Sequence, residues 1–147
     1  MRRALVCICV LAALAAPAAS AEVAIIVNKS VPMQTMDSRT LFDLYSGDVK
    51  KWSNGQSVVL LDLGQKGDVK TTFYDYLGKS SSRMKSIWMK NMLAGEGSPP
   101  ESFPSEAEIL KRVAATPGAI GYVSRPTATG ASDGIVTLIV IDPSAKK

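Results

Sequence analysis

From residue 23 onward, short continuous apolar runs alternate with segments whose apolar side chains recur every three or four positions. That alternation restricts the chain to a layered α/β fold. Residues 23–27, Val-Ala-Ile-Ile-Val, form the first run and suit a buried strand. Asp37 can cap the next segment, in which Leu41, Leu44 and Tyr45 share a helical face beside Phe42 and Gly47 supplies the stop. Ser53-Asn54-Gly55 has turn chemistry, and residues 57–63 read as a second buried strand. A polar loop, Gly64-Gln65-Lys66-Gly67-Asp68, then leads into a helical pattern carried by Val69, Phe73, Tyr76 and Leu77 and ended by Gly78.

Met84, Ile87, Trp88 and Met92 mark one face of a third helix that closes near Gly95. Pro99, Pro100 and Pro104 make residues 97–104 a loop. Ser105-Glu106-Ala107-Glu108 has the form of a capping box, in which the Ser hydroxyl and Glu108 carboxylate reciprocally satisfy free backbone N–H groups. Ile109, Leu110, Val113 and Ala114 give that helix its apolar face, and Pro117-Gly118 breaks it. Strands are expected at residues 119–123 and 135–141, separated by the Gly/Ser/Thr-rich stretch 127–134. The sum is one α/β domain with a mostly covered, mixed sheet and no internal repeat.

The N-terminus has the form of a targeting signal. Arg2 and Arg3 are followed by an apolar stretch from Ala4 to Ala16, then by Ala19-Ser20-Ala21, a small-x-small cleavage pattern. The apolar stretch is shorter than the roughly 20 residues a bilayer requires. Residues 1–21 are therefore expected to be a signal peptide and residues 22–147 a periplasmic or secreted domain that does not span a membrane. Cys7 and Cys9 fall inside the signal, so the mature chain has neither disulfide nor thiol. They precede most of the apolar run, whereas an acylated cysteine follows it. Loss of Arg2 and Arg3 reduces the formal charge from +4 to +2, which is no nucleic-acid footprint.

The sequence contains no histidine, so a Ser-His-Asp triad and imidazole metal ligands are excluded. Gly130-Ala131-Ser132-Asp133-Gly134 matches G-x-S-x-G, but a strand follows where a nucleophile elbow requires a helix. Glu106 and Glu108 lie in a helix first turn, where carboxylates favour the dipole. Asp43 and Asp48 flank a helix end. No EF-hand spacing occurs, and Lys50-Lys51 and Lys146-Lys147 read as solvated charge. No cofactor is implied. An exported hydrolase, lacking His and mature Cys, would need a metal or a Ser-Lys pair. Asn28-Lys29-Ser30 formally matches a glycosylation sequon, a pattern frequent by chance.

Several spaced motifs together resemble the periplasmic phosphate-binding-protein family. They are Leu41-Phe42-Asp43-Leu44-Tyr45-Ser46-Gly47, Lys51-Trp52-Ser53-Asn54-Gly55, Phe73-Tyr74-Asp75-Tyr76-Leu77-Gly78-Lys79-Ser80 and Ile87-Trp88. Gly95-Glu96-Gly97-Ser98-Pro99-Pro100 and Pro117-Gly118-Ala119-Ile120-Gly121-Tyr122-Val123 continue in the same order. The resemblance implies a single lobe of a type II periplasmic-binding-protein-like fold, a mixed β-sheet flanked by helices. It also implies a non-enzymatic solute-binding role connected with an ABC importer. That family holds its anion with an arginine on the strand and a Ser-Gly-Thr turn before the helix. Counted back from Phe73, the turn becomes Gly67, Asp68 and Val69 and the arginine falls near Leu63, so neither hydroxyl nor guanidinium is present.

What remains is a Gly-containing loop at a helix N-terminus, able to hold an anion through free N–H groups and the positive dipole end. The candidate oxyanion-binding residues are Gln65, Lys66, Gly67, Asp68, Val69 and Lys70, with phosphate as the ligand the resemblance implies. The plainer reading of the same loop is a strand-to-helix connection capped by Asp68. Phe42, Tyr45, Phe73 and Tyr76 hold core spacing. Trp52, beside Lys51 and a turn, is the candidate partner contact. The alternative function is an interaction protein that docks on a periplasmic sensor, transporter or porin. Self-association would be another route to a second lobe.

Overall fold

A computed structural model describes residues 21–131 and 133–144. The signal segment before residue 21 with Cys7 and Cys9, the Ser132 of the rejected elbow, and Lys146-Lys147 lie outside them. The chain runs β1 (Val23–Asn28), α1 (Ser38–Ser46), β2 (Val59–Leu63), α2 (Asp68–Leu77), α3 (Ser81–Leu93), β3 (Glu101–Phe103), α4 (Glu106–Ala115), β4 (Ala119–Ser124), α5 (Arg125–Thr129) and β5 (Ile135–Ile141). The strands form one mixed five-stranded sheet in the order β3-β2-β4-β1-β5. β2 pairs in parallel with β3 and β4, while β1 is antiparallel to both β4 and β5.

Helix ends follow their local signals. Asp37 accepts from Thr40 N at 2.8 Å and caps α1, and Gly47 closes it at φ 86°. Gly78 ends α2 at φ 77°. Ser105 Oγ accepts from Glu108 N, but the reciprocal half of the expected capping box is replaced. The Glu108 carboxylate sits 3.6 Å from Lys111 Nζ, one turn along the exposed face.

Helices cover both faces. Tyr122 of β4 stacks on Phe73 of α2 with ring centroids 3.8 Å apart, and Tyr45 of α1 packs edge-on against Phe73. The adjacent Gly121 faces the opposite way, where a Cβ would come within 2.9 Å of Ile109 of α4. Neighbouring strand residues point to opposite faces, so α1 and α2 lie on one side and α4 on the other. α3 joins the first layer through Trp88 Nε1, which donates to Tyr45 O at 2.7 Å. All five residues of Val23 to Val27 are fully buried.

Two expected loops contain structure. Within residues 97–104, β3 forms because Gly64 N donates to Phe103 O and residues 101–103 pair with β2. It is an edge strand, where flanking prolines are tolerated. Within residues 127–134, the chain first completes α5, started by a proline in its first turn. Glu106 anchors that helix from α4, accepting from Ser124 N at 2.6 Å and from Thr127 Oγ1 at 2.7 Å. The strand expected over residues 57–63 starts later, because Ser57 bridges Lys51 across the turn.

Asn28 is buried, and its amide donates to Val113 O at 2.7 Å and Ala114 O at 3.1 Å, which satisfies the end of α4. Its amide nitrogen is thus occupied in the fold and turned away from any glycan. Asn28→Ala leaves two carbonyls without that donor and is expected to cost about 1–3 kcal/mol in a denaturant melt. A change below a few tenths would show that the cap carries no weight.

Candidate functional site

The anion loop begins where β2 runs out. Gly64 lies against β3 so closely that a Cβ would fall 2.8 Å from Ser102 Oγ, which fixes the base of the loop. Four residues later α2 starts, with Gly67 as its N-cap in extended backbone and no side-chain hydrogen bond capping it. The first-turn N–H groups of α2 therefore lack a capping side chain. Asp68, expected to be the N-cap, is the first helical residue instead, because the chain enters the helix one residue earlier.

Gln65, Lys66, Gly67, Asp68, Val69 and Lys70 come together as one wall of an open depression of about 570 Å³. The opposite wall is built by Pro104, Ser105, Glu106 and Ala107 at the N-terminus of α4, with Thr127 of α5 beside it. Two helix N-termini thus border the same depression. A second depression, of about 340 Å³, lies between α1 and the β2–β3 edge and is lined by Leu44, Val49, Lys50, Val59 and Leu60 among others.

The charges at the first depression are differently committed. Lys70 is not a free cation. Its Nζ lies 3.1 Å from Asp62 Oδ2 and donates to Leu63 O at 2.5 Å, in a largely buried position. Glu106 is spent on Ser124 and Thr127. Lys66 and Asp68 are exposed and have no salt-bridge partner among the described residues. The depression therefore offers one ammonium, one carboxylate and the backbone donors of α2.

Beneath it lies a polar cluster that residue patterning did not reveal. The buried Asp62 carboxylate accepts from Tyr122 OH at 2.5 Å, from Tyr74 OH at 2.9 Å and from Lys70. Burial, reinforced by the Asp62 charge, pushes the ionisation of both phenols far above the usual tyrosine range, so both remain donors. The available signal was a single acid in the otherwise apolar run 58–63. A carboxylate in such a place requires partners.

Trp52 is not a surface contact. Its ring is 5% exposed and its Nε1 donates to Gly118 O at 2.9 Å, because the turn folds the indole back onto the start of β4. Tyr45 and Phe73 are buried as core spacing predicts, and Phe42 and Tyr76 pack half-buried against the core.

A family model for the PBP superfamily domain matches residues 10–140, and the chain belongs to that family. Its fold is similar to an ABC-type phosphate transport receptor from Vibrio cholerae, at TM-score 0.61 and 15% identity over 82% of this chain and 47% of that one. It is also similar to a putative phosphate ABC transporter substrate-binding protein with bound phosphate from Clostridium perfringens, at TM-score 0.62 and 16% identity over 82% and 46%. A possible phosphate binding protein from Planctomyces limnophilus gives TM-score 0.60 and 13% identity over 82% and 42%. The chain spans a little under half the length of these structures. No curated protein sequence matches it. The expected phosphate-binding-protein-like α/β lobe with a mixed sheet is the architecture observed, and no helix among the described residues is long and apolar enough to cross a membrane.

Proposed function

We propose that this chain is an exported, non-enzymatic solute-binding module that captures phosphate or a related oxyanion in connection with transport or sensing. A signal peptide over residues 1–21 would deliver it to the periplasm. The observation that carries the reading is the uncapped N-terminus of α2 opening onto a depression walled by Gln65 to Lys70. Backbone N–H groups and the dipole would receive the anion, and Lys66 would supply the mobile charge. Asp68 opposes a dianion but can accept a hydrogen bond from a protonated phosphate. Lys70 would act from below, holding the loop base through Leu63 rather than touching the ligand.

The test is a thermal-shift titration of the full mature domain with phosphate, against sulfate and chloride at matched ionic strength. Phosphate at a thousand times its dissociation constant raises stability by about 4 kcal/mol. Lys66→Ala is expected to weaken the response about tenfold, while Asp68→Asn strengthens it above the second ionisation of phosphate. Absence of any shift at millimolar phosphate would sink autonomous capture.

The second reading, an adaptor docking on a periplasmic sensor, transporter or porin, draws support from the near-neutral charge balance of the depression. A second copy closing over the open depression would supply another wall. Chromatography with and without phosphate separates that case, since ligand-driven dimerisation changes the elution volume.

A further inference from the structure

Helix α3 is charged and apolar in a way the core does not require. Met84 and Trp88 are its buried residues. On the outward side Met89 is 52% exposed, Met92 46% and Leu93 80%. Residues 92 and 93 lie three and four positions after residue 89, so the three border one surface patch, which Lys85 extends from one turn below. Lys90 lies one turn from Leu93 on its other side.

The charge along this stretch of the chain is of one sign. From residue 76 to residue 95 the sequence contains Lys79, Arg83, Lys85 and Lys90 and no acid. All four cations are exposed, and none has a salt-bridge partner among the described residues. Elsewhere some surface cations are paired, as in Arg39–Asp43, Arg112–Glu101 and Arg125–Glu22, and others, such as Lys66, are not. What sets this stretch apart is four unpaired cations in a run without an acid. The acid that follows, Glu96, lies beyond the helix end.

We infer that α3 is a membrane-surface contact that seats Met89, Met92 and Leu93 in the interface of an anionic lipid layer while Lys85, Lys90 and Arg83 meet the headgroups. Shape favours lipid over a peptide. Neither of the two depressions described above is lined by these three side chains, and they stand on the outer face of a helix. A peptide requires a groove, whereas a fluid surface deforms around a ridge. Unpaired cations flanking exposed apolar side chains are the arrangement that binds anionic interfaces, through apolar burial and headgroup attraction together.

The experiment is cosedimentation of the mature domain with vesicles of phosphatidylcholine alone and of equal phosphatidylcholine and phosphatidylglycerol. Binding is expected to the anionic vesicles only and to fall as salt is raised. Lys85→Gln and Lys90→Gln should each weaken it about fivefold, and Leu93→Ser about tenfold. These positions are exposed, so the variants are expected to melt with the parent, and a matched melt verifies it. Three results overturn the inference. One is no binding to anionic vesicles at low salt. Another is unchanged binding by Leu93→Ser, which would reduce the contact to diffuse charge adsorption. The last is a dimer abolished by Leu93→Ser without any vesicle binding, which would make the ridge a protein interface. Phosphate response is read independently, so a failed vesicle assay leaves the anion site standing, and the reverse also holds.

Discussion

Replacing Asp62 with leucine is expected to destabilise the protein by about 3–5 kcal/mol, with a fall in melting temperature of about 10 °C or more. The carboxylate is the acceptor for Tyr122 OH, Tyr74 OH and Lys70 Nζ. Leucine fills the space but removes the shared acceptor of all three donors. Lys70 keeps another acceptor at Leu63 O, and Tyr122 OH keeps only the bond it accepts from Leu63 N. The stranded ammonium dominates, because a buried unpaired cation costs more than a buried unpaired hydroxyl. The double variant Asp62→Leu/Lys70→Met removes that charge and should recover a large part of the loss. Strong coupling between the two positions is therefore the diagnostic result. A single variant that melts within about 1 kcal/mol of the parent would show that the cluster is not a support for the fold.

Gly118→Ala should be comparably damaging, at about 3–5 kcal/mol, for a reason of space and backbone geometry. Gly118 has φ 79°, and a Cβ there would lie 2.3 Å from Ser57 O, a backbone atom that cannot rotate aside. Both its backbone groups are also engaged. Its N–H donates to Ser30 Oγ at 3.0 Å, and its carbonyl accepts from Trp52 Nε1 at 2.9 Å and from Val59 N at 3.1 Å. Any shift that relieves the clash loosens the junction of β1, β2 and β4. Gly78 is the internal control, with φ 77° and nothing within 4 Å of an added Cβ. Gly78→Ala should cost only the conformational strain, about 1–2 kcal/mol. Equal losses at the two glycines would refute the steric account.

Helix ends were legible because their determinants lie within four residues of the end they set. Asp37, Ser105, Gly47 and Gly78 each act on their own turn. The features that were not legible depend on distant partners. β3 exists through pairing with β2, and α5 through a carboxylate from α4 eighteen residues or more away. Trp52 reads as exposed from its neighbours, yet its position is set by a carbonyl sixty-six residues further on. Lys70 reads as a free cation beside the anion loop, and only the parallel run of β2 under α2 reveals that Asp62 holds it. One wall of the candidate site could thus be named from consecutive residues. The other, at Pro104 to Ala107 and Thr127, became visible when the sheet brought the two helix starts together.

The position of β1 has a consequence for how the molecule comes into being. Among the described residues the earliest of the five strands lies between the two latest, with Val23 opposite Ser124 on one side and Ile141 on the other. Such pairings close large loops and are slow to form. Until residues 119–141 have followed, an almost wholly apolar Val-Ala-Ile-Ile-Val-Asn segment has both edges open, ready to pair with any passing strand. Those edges stay open until the segment some hundred residues later in the sequence has been made. Its yield in a cell should depend on whatever shields those six residues in the interval.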